Sequence, residues 1–128
     1  MNRMIFAGLL LMVSTASMAQ DVMDDGSKVV LPIPSQACVL PTAPAPIPAE
    51  ATRDELMLAQ KGVKKFQSDM VPYRECINHD VLSDELTDGN RQAITNAHNY
   101  SVEMEERVAG MFNEAVRAYK EKQAASGG

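Results

Sequence analysis

Six of the seven prolines lie between residues 32 and 48, and their clustering divides the chain into two parts that cannot fold alike. Proline has no backbone N–H and disfavours helical geometry in the residue before it. The run Pro41-Thr-Ala-Pro-Ala-Pro-Ile-Pro48 therefore cannot be a helix, and we predict an extended polyproline II conformation for it. We expect a proline-rich arm at residues 38–51, preceded by a disordered or extended segment at residues 20–37.

Apolar residues recur at helical spacing after residue 51. Thr52 and Glu55 have the pattern of a capping box, in which each side chain accepts a hydrogen bond from the backbone amide of the other. From there the apolar positions advance by alternating steps of three and four, a heptad seam typical of a packed helix. The positions of this first seam are Leu56, Ala59, Val63, Phe66, Met70, Tyr73 and Ile77.

The periodicity stops at about residues 82–90, where turn and cap residues replace it. A second seam then follows at Ile94, Ala97, Ser101, Met104, Val108, Met111, Ala115 and Ala118. Because a short connection makes neighbouring helices antiparallel, residues 52–122 predict a two-helix hairpin, followed by a flexible tail at residues 123–128. A single helix through the turn region is the alternative interpretation.

The first 19 residues have the three parts of a secretory signal peptide. Arg3 supplies a basic start, the stretch from Met4 to Val13 is apolar, and Ser17-Met-Ala19 is a small-x-small cleavage site. A membrane anchor is the alternative, but this apolar run is too short to cross roughly 30 Å of hydrocarbon. We therefore predict cleavage after Ala19, a periplasmic or secreted location, and no membrane span after cleavage.

The net charge bears on the class of partner, and the two cysteines bear on covalent cross-linking. Without residues 1–19 the chain has 11 basic and 17 acidic residues, a net charge of about −6, which disfavours nucleic acid as a partner. Cys38 and Cys76 are the two cysteines of a chain that we expect to be exported, and one intramolecular disulfide is the simplest pairing. Bridges between chains and a free thiol are the alternatives.

Chain lengths are compatible with that intramolecular bond. The 14 residues from Cys38 to Thr52 span about 43 Å as polyproline II, and the 24 residues from Thr52 to Cys76 span about 36 Å as α-helix. The arm can therefore run back along the first helix until the cysteines meet, with Leu40 and Ile47 over the seam. We expect an all-α fold, an antiparallel two-helix hairpin with a disulfide-pinned polyproline II arm. A homodimer through the same apolar face is the other way to complete the core.

Pro72 lies inside the first predicted helix, where it removes a hydrogen bond to the Ser68 carbonyl at a cost of roughly 3 kcal/mol. We expect a kink near residues 68–72, or two helical segments. A binding crevice at the bend is the functional interpretation, and a bend that wraps the helix around its partner is the structural one.

Few residues are able to carry chemistry, and no catalytic or cofactor motif is recognisable. His79 and His98 are not expected to converge, because the hairpin sets His98 opposite position 71. The acidic stretch at residues 79–88 offers oxygen ligands for a divalent cation, although acidic residues at a helix start are also ordinary caps. We assign no catalytic, metal-binding or cofactor-binding residue. The predicted interaction surface consists of Pro72, Tyr100, Phe112 and Tyr119.

Three segments carry a resemblance to other proteins: Tyr73-Arg-Glu-Cys76, His98-Asn-Tyr-Ser-Val-Glu-Met-Glu105 and Phe112-Asn-Glu-Ala-Val-Arg-Ala-Tyr119. Over roughly residues 36–120 the chain resembles a loose group of uncharacterised small exported bacterial helical proteins. These share a Pro-rich stretch with one cysteine, a Tyr-x-x-Cys helix and a later helix with a Phe/Trp-Asn-x-Ala-Val segment. The resemblance implies an envelope location and supplies no activity or catalytic residue.

The sequence therefore favours interaction over catalysis. We expect a periplasmic, non-enzymatic accessory, adaptor or chaperone-like protein that acts on an unidentified envelope protein. The reason is a helical scaffold with apolar flanks and no convergent chemistry. The alternative is a divalent-metal-binding periplasmic module that uses the acidic stretch at residues 79–88.

Overall fold

The computed structural model describes residues 21–79 and 83–127, so the predicted signal peptide lies outside the described residues. Within that part the chain is mostly helical: α1 spans Ile33–Gln36, α2 spans Arg53–Ile77 and α3 spans Asp88–Ser126. The same residues contain no β-strand, and Val22 and Lys28 form an isolated β-bridge. The prediction of a mostly helical protein is confirmed.

Helix α2 begins where the capping-box pattern predicts. The Glu55 carboxylate accepts a hydrogen bond from the Thr52 amide at 2.7 Å, and the Thr52 hydroxyl accepts one from the Glu55 amide at 3.2 Å. The helix continues through Pro72, so the alternative of two separate helical segments is wrong. Ser68 and Pro72 are both exposed, and water can therefore bond to the Ser68 carbonyl that the proline leaves without a donor.

The first seam forms the core of the molecule. Six of its seven residues are buried, and Ala59 is half-buried. Phe66, Met70, Tyr73 and Ile77 make one cluster, in which Met70 and Ile77 are 0% exposed. The half-buried residues that pack against this cluster are Cys38, Leu40, Ala97, Met104 and Val108. Burial also raises the pKa of the Tyr73 hydroxyl.

Helix α3 is a separate helix, so the alternative of a single helix through the turn region is wrong. Its N-terminus has its own capping box, in which the Thr87 hydroxyl accepts from the Asn90 amide at 3.0 Å and Asn90 Oδ1 accepts from the Thr87 amide at 3.2 Å. The second seam is less buried than the first, because Ile94 and Ser101 are buried while Met111 is 49% exposed.

Helices α2 and α3 pack against each other, and a polar network crosses their contact. Arg74 Nε donates to Ser101 Oγ at 2.8 Å, and the Arg74 guanidinium also pairs with the Glu105 carboxylate. Ser101 is 0% exposed, and its hydroxyl donates to the His98 carbonyl at 2.6 Å. The buried hydroxyl therefore has both a donor and an acceptor partner, as a buried polar group requires.

Residues 21–36 are more ordered than the disordered or extended segment that the sequence predicts. A turn at Gly26, whose φ of 81° favours glycine, brings Val22 and Lys28 together. Helix α1 follows directly after Pro32, which is compatible with a helix start because the first amides of a helix have no intrahelical partner. Buried Ser35 then donates to the Ile77 carbonyl at 3.4 Å, at the C-terminal end of α2.

Cys38 and Cys76 have their sulfur atoms at disulfide-bonding distance, and their Cα atoms are 5.8 Å apart. This Cα separation is within the usual range for a disulfide. Cys76 is exposed in the last turn of α2, and Cys38 is half-buried just after α1. The pair therefore ties the start of residues 38–51, which we call the arm, to the end of α2.

Candidate functional site

The arm leaves a cleft between itself and the two long helices. This arm cleft has a volume of about 140 Å³. Its walls are Ala43, Pro44, Ala45 and Ile47 from the arm, Ala59 and Val63 from α2, and Met104, Arg107, Val108 and Met111 from α3. Nine of these ten residues are apolar, so the cleft offers an apolar group a partly enclosed, apolar surrounding.

Small residues on α2 create this space. Ala59 occupies a seam position where Leu56, Val63 and Phe66 have larger side chains, and the volume it leaves unfilled opens into the cleft. One turn further on, a Cβ atom at Gly62 would lie 3.6 Å from Pro44 Cβ, which is ordinary van der Waals contact. The arm therefore lies close to the helix backbone at Gly62 and is separated from the helix by the cleft at Ala59.

Apolar packing alone holds the middle of the arm. Within the described part of the chain, no backbone or side-chain group of residues 39–49 forms a hydrogen bond. Leu40 packs against the core cluster, and Pro44 lies over Gly62. A long-range ion pair, Lys122 with Glu50 at 3.6 Å, is exposed on both sides and contributes little. The arm is therefore fixed firmly at its two ends and adaptable between them.

Arg107 is the one charged residue in the walls of the cleft. It is exposed, and among residues 21–79 and 83–127 it has no ion-pair or hydrogen-bond partner. Arg117, further along α3, instead pairs with Glu114. The guanidinium of Arg107 therefore keeps its five N–H donors available to a group at the mouth of the cleft.

The opposite end of the helix pair is closed by hydrogen bonds. The first two amides of α3 donate to the N-terminal segment: the Asp88 amide to Asp25 Oδ2 at 3.4 Å and the Gly89 amide to Ser27 Oγ at 2.8 Å. Asn90 Nδ2 donates to the Val30 carbonyl at 2.8 Å. These contacts satisfy amides that have no partner within the helix.

Gly89 and Asp25 show how closely that end is fitted. A Cβ atom at Gly89 would lie 2.0 Å from the Lys28 carbonyl oxygen, so only glycine lets the segment lie against the helix.

The Ser27 hydroxyl donates to Asp25 Oδ1 and is the main reason that the pKa of the Asp25 carboxyl lies below its usual value of 3.8.

The residues of the predicted interaction surface are spread along the molecule. Tyr100 and Tyr119 are 19 residues apart on α3, roughly 28 Å along the helix axis. Pro72 and Tyr100 are exposed, whereas Phe112 and Tyr119 are half-buried. None of the four lines the arm cleft. The cleft itself was not predicted, although Ile47 in its wall was expected to lie over the seam. The available signal was the pair of small residues at Ala59 and Gly62.

The histidines lie differently from the expectation. His98 Nδ1 is 3.5 Å from Asn78 Nδ2, so His98 lies beside the residue that follows α2 and not opposite position 71. The error is about two helical turns for His98, and Ser101 is displaced in the same direction because it meets Arg74. The chain therefore turns a few residues later than the expected register assumes. Asn78 Nδ2 also donates to the Arg74 carbonyl at 2.8 Å, which is a structural role at the helix end.

The acidic stretch at residues 79–88 is described except for residues 80–82. Asp84, Glu85 and Asp88 are exposed, and the described residues contain no group of three or more His, Cys, Asp or Glu side chains that could hold a metal ion. Asp80, which the metal-binding alternative includes, lies outside the described residues. The described part of this stretch supplies caps and turns, as at Thr87 and Asp88.

Comparisons with known proteins give no relative. No family model matches the chain, no curated protein is significantly similar to it, and no solved structure matches its fold. None of the helices within residues 21–79 and 83–127 combines the length and apolar character that crossing a bilayer requires.

Proposed function

We propose that this protein is an exported, non-enzymatic interaction protein of the accessory, adaptor or chaperone-like kind, in which a polyproline II arm clasps an antiparallel helical hairpin. The observation that carries this proposal is the arm cleft, an apolar opening whose cover makes no hydrogen bond over residues 39–49 within the described chain. Such a cover can adjust to a bound group at little cost, because only packing contacts must be exchanged.

The order of the contacts between α2 and α3 supports the hairpin. Asn78 meets His98, and Arg74 meets Ser101 and Glu105. Further back on α2, Ala59 and Val63 line the arm cleft together with α3 residues 104–111. Residue numbers therefore fall along α2 as they rise along α3, which is the order expected for antiparallel helices.

The burial pattern of the arm supports the polyproline II conformation. Pro41, Pro44 and Ile47 are half-buried, whereas the two residues between each pair are exposed. A polyproline II helix has three residues per turn, so positions 41, 44 and 47 share one side, and that side faces the helices. The pairing of Cys38 with Cys76 holds the beginning of the arm in place.

Export is proposed from the sequence of residues 1–19 and is compatible with the cysteine pair. An oxidising compartment allows a disulfide whose Cys76 is exposed to persist, whereas the cytosol would keep such thiols reduced. Mass spectrometry of protein recovered from the bacterial envelope tests this step. The expected mass lacks residues 1–19 and two hydrogen atoms, and a full-length or reduced chain contradicts it.

Site-specific photo-crosslinking tests the interaction itself. A photoreactive residue in place of Ala45, in the arm wall, is expected to give an adduct in living cells with one defined envelope protein. The matched control replaces Lys120, which is exposed on α3 outside the cleft. Equal adducts from both positions, or none from Ala45, contradict the proposal. An adduct of two copies of this chain supports the homodimer alternative.

A further inference from the structure

We propose that the arm cleft is also a binding site for a small amphipathic anion, a carboxylate attached to one short apolar group, with the carboxylate on Arg107. This inference goes beyond the interaction function, because it concerns a small ligand and not a protein partner. It rests on the size of the cleft, its apolar lining and its single charged residue.

Size limits the apolar group. The cleft volume of about 140 Å³ is close to the ~150 Å³ of an apolar cavity that holds benzene. A ring or an alkyl segment of about six to eight carbon atoms therefore fits, and a long acyl chain would have to extend past the arm. Met104 and Met111 lie in the wall, and their flexible thioether side chains can adapt to either shape.

Charge selects the head group. Arg107 is the single charged wall residue and has no partner among the described residues. A carboxylate can accept two parallel hydrogen bonds from a guanidinium, which fixes the orientation of the ligand with its apolar part inward. The net charge of the full sequence is −5, so attraction of an anion depends on this local cation and not on the field of the whole protein.

The adaptable arm provides the entrance. Its middle residues contact the helices by packing only, so lifting Ala43 to Ile47 breaks no hydrogen bond within the described chain. Cys38 and Thr52 hold the two ends of the arm, one by pairing with Cys76 and the other by capping α2. Ligand entry therefore needs at most a movement of the arm, with both long helices in place.

The test is a titration of the oxidised mature protein with octanoate. The NMR signals of ¹³C-labelled methionine methyl groups monitor the binding. The signals of Met104 and Met111 are expected to shift saturably, whereas those of Met57 and Met70, which do not line the cleft, stay in place. Neutral octanol is expected to bind about fivefold more weakly, since it lacks a charge for Arg107. Equal shifts of the methionine signals inside and outside the cleft, or equal binding of octanol, overturn the inference.

Variants locate the site. Arg107→Gln is expected to weaken octanoate binding about fivefold and to leave octanol unaffected, whereas Arg117→Gln serves as the matched control on the same helix. Ala59→Leu fills the cleft and is expected to abolish binding. If Ala59→Leu fails to fold, the smaller substitution Ala59→Val at the same wall position makes the same test. Unchanged octanoate affinity in either the charge variant or the filled variant overturns the inference.

A second titration separates a small free anion from an anionic lipid surface. Vesicles of phosphatidylglycerol present an anionic head group with long acyl chains, which exceed the size of the cleft. We expect no co-sedimentation with such vesicles. Binding to vesicles without binding to octanoate overturns the inference, while the crosslinking experiment on protein partners is unaffected by either result.

Discussion

The two ends of the helix pair are closed in different ways. At the capped end, residues 21–36 lie against the end of α2 and the start of α3, with hydrogen bonds from the Gly89 amide to Ser27 and from Ser35 to the Ile77 carbonyl. At the arm end, residues 39–49 cover α2 and α3 through apolar contacts and leave the arm cleft. The core is fully buried near the capped end, whereas Met111 at the arm end is 49% exposed.

This difference indicates a division of roles. Hydrogen bonds are directional and demand one geometry, so the capped end specifies how the segment and the helices fit together. Apolar contacts tolerate exchange of one partner for another of similar size, so the arm end can accept a ligand. Binding regions are generally drawn from the less stable part of a protein, which agrees with our proposal of a site under residues 39–49, where the described chain forms no hydrogen bond.

The largest expected effect comes from releasing the arm. The double substitution Cys38→Ser with Cys76→Ser removes a link between residues 38 positions apart and is expected to lower the free energy of unfolding by on the order of 4 kcal/mol. Urea unfolding followed by circular dichroism measures it. The wild-type protein under reducing conditions is the control and is expected to match the variant. An unchanged unfolding midpoint would show that packing alone holds the arm.

A matched pair of methionines compares the two ends directly. Met70→Ala opens a cavity in the buried core and is expected to cost about 3 kcal/mol, because the side chain is 0% exposed. Met111→Ala, at the rim of the arm cleft, is expected to cost less than about 1 kcal/mol. Thermal unfolding of the two variants measures both. Equal losses would remove the distinction between a packed end and an adaptable one.

Two glycines of α3 test the fit of the capped end. Gly89→Ala places a Cβ against the Lys28 carbonyl and is expected to lose about 2 kcal/mol as the N-terminal segment moves away. Gly110→Ala meets nothing within 4 Å and is expected to gain up to about 1 kcal/mol through helix propensity. Stability measurements on the two variants are therefore expected to differ in sign, and a gain in both contradicts the close contact.

Gly62→Ala makes the corresponding test at the arm end, with a smaller effect. Its new Cβ would lie 3.6 Å from Pro44 Cβ, in ordinary contact, so the arm is expected to stay in place. Improved helix propensity then raises the free energy of unfolding by up to about 1 kcal/mol. Urea unfolding measures the gain, and a loss of stability would show that the arm is fitted to α2 as tightly as the capped end is to α3.

The smallest effect is the titration of Asp25. Hydrogen bonds from Ser27 hold the pKa of this carboxyl below its usual 3.8, so its contribution to stability is present above pH 3.8 and is lost as the pH falls through the lower folded value. In Ser27→Ala the pKa is expected to rise toward 3.8. Carboxyl NMR signals report it directly, and an unchanged titration midpoint would contradict the hydrogen bond.

The sequence predicted the elements that depend on local pattern. The seam of α2 was identified residue by residue, from Leu56 to Ile77, because steps of three and four reveal which side of a helix is buried. The start of α2 followed from the Thr52 and Glu55 capping box. Both features are encoded within a few residues of each other, so no knowledge of the rest of the molecule was needed.

Features that depend on distant residues were missed. The order of residues 21–36 comes from contacts with Gly89 and Asn90, sixty or more positions away, and local composition gives no sign of them. The arm cleft was missed for a related reason, since Arg107 and Ala43 line one cleft only when the arm lies across both helices. The tyrosines proposed for interaction were chosen as exposed aromatics, and their distance along α3 keeps them apart.

The capping of α3 by Asp25 and Ser27 has a practical meaning for anyone who produces this protein. Deleting residues 21–27 would remove the acceptors of the Asp88 and Gly89 amides, although the Thr87 capping box of α3 would stay in place. The damage would be found far from the altered position, as fraying near Asp88. A tag is better placed next to the last turn of α3, whose residues 120–126 are exposed.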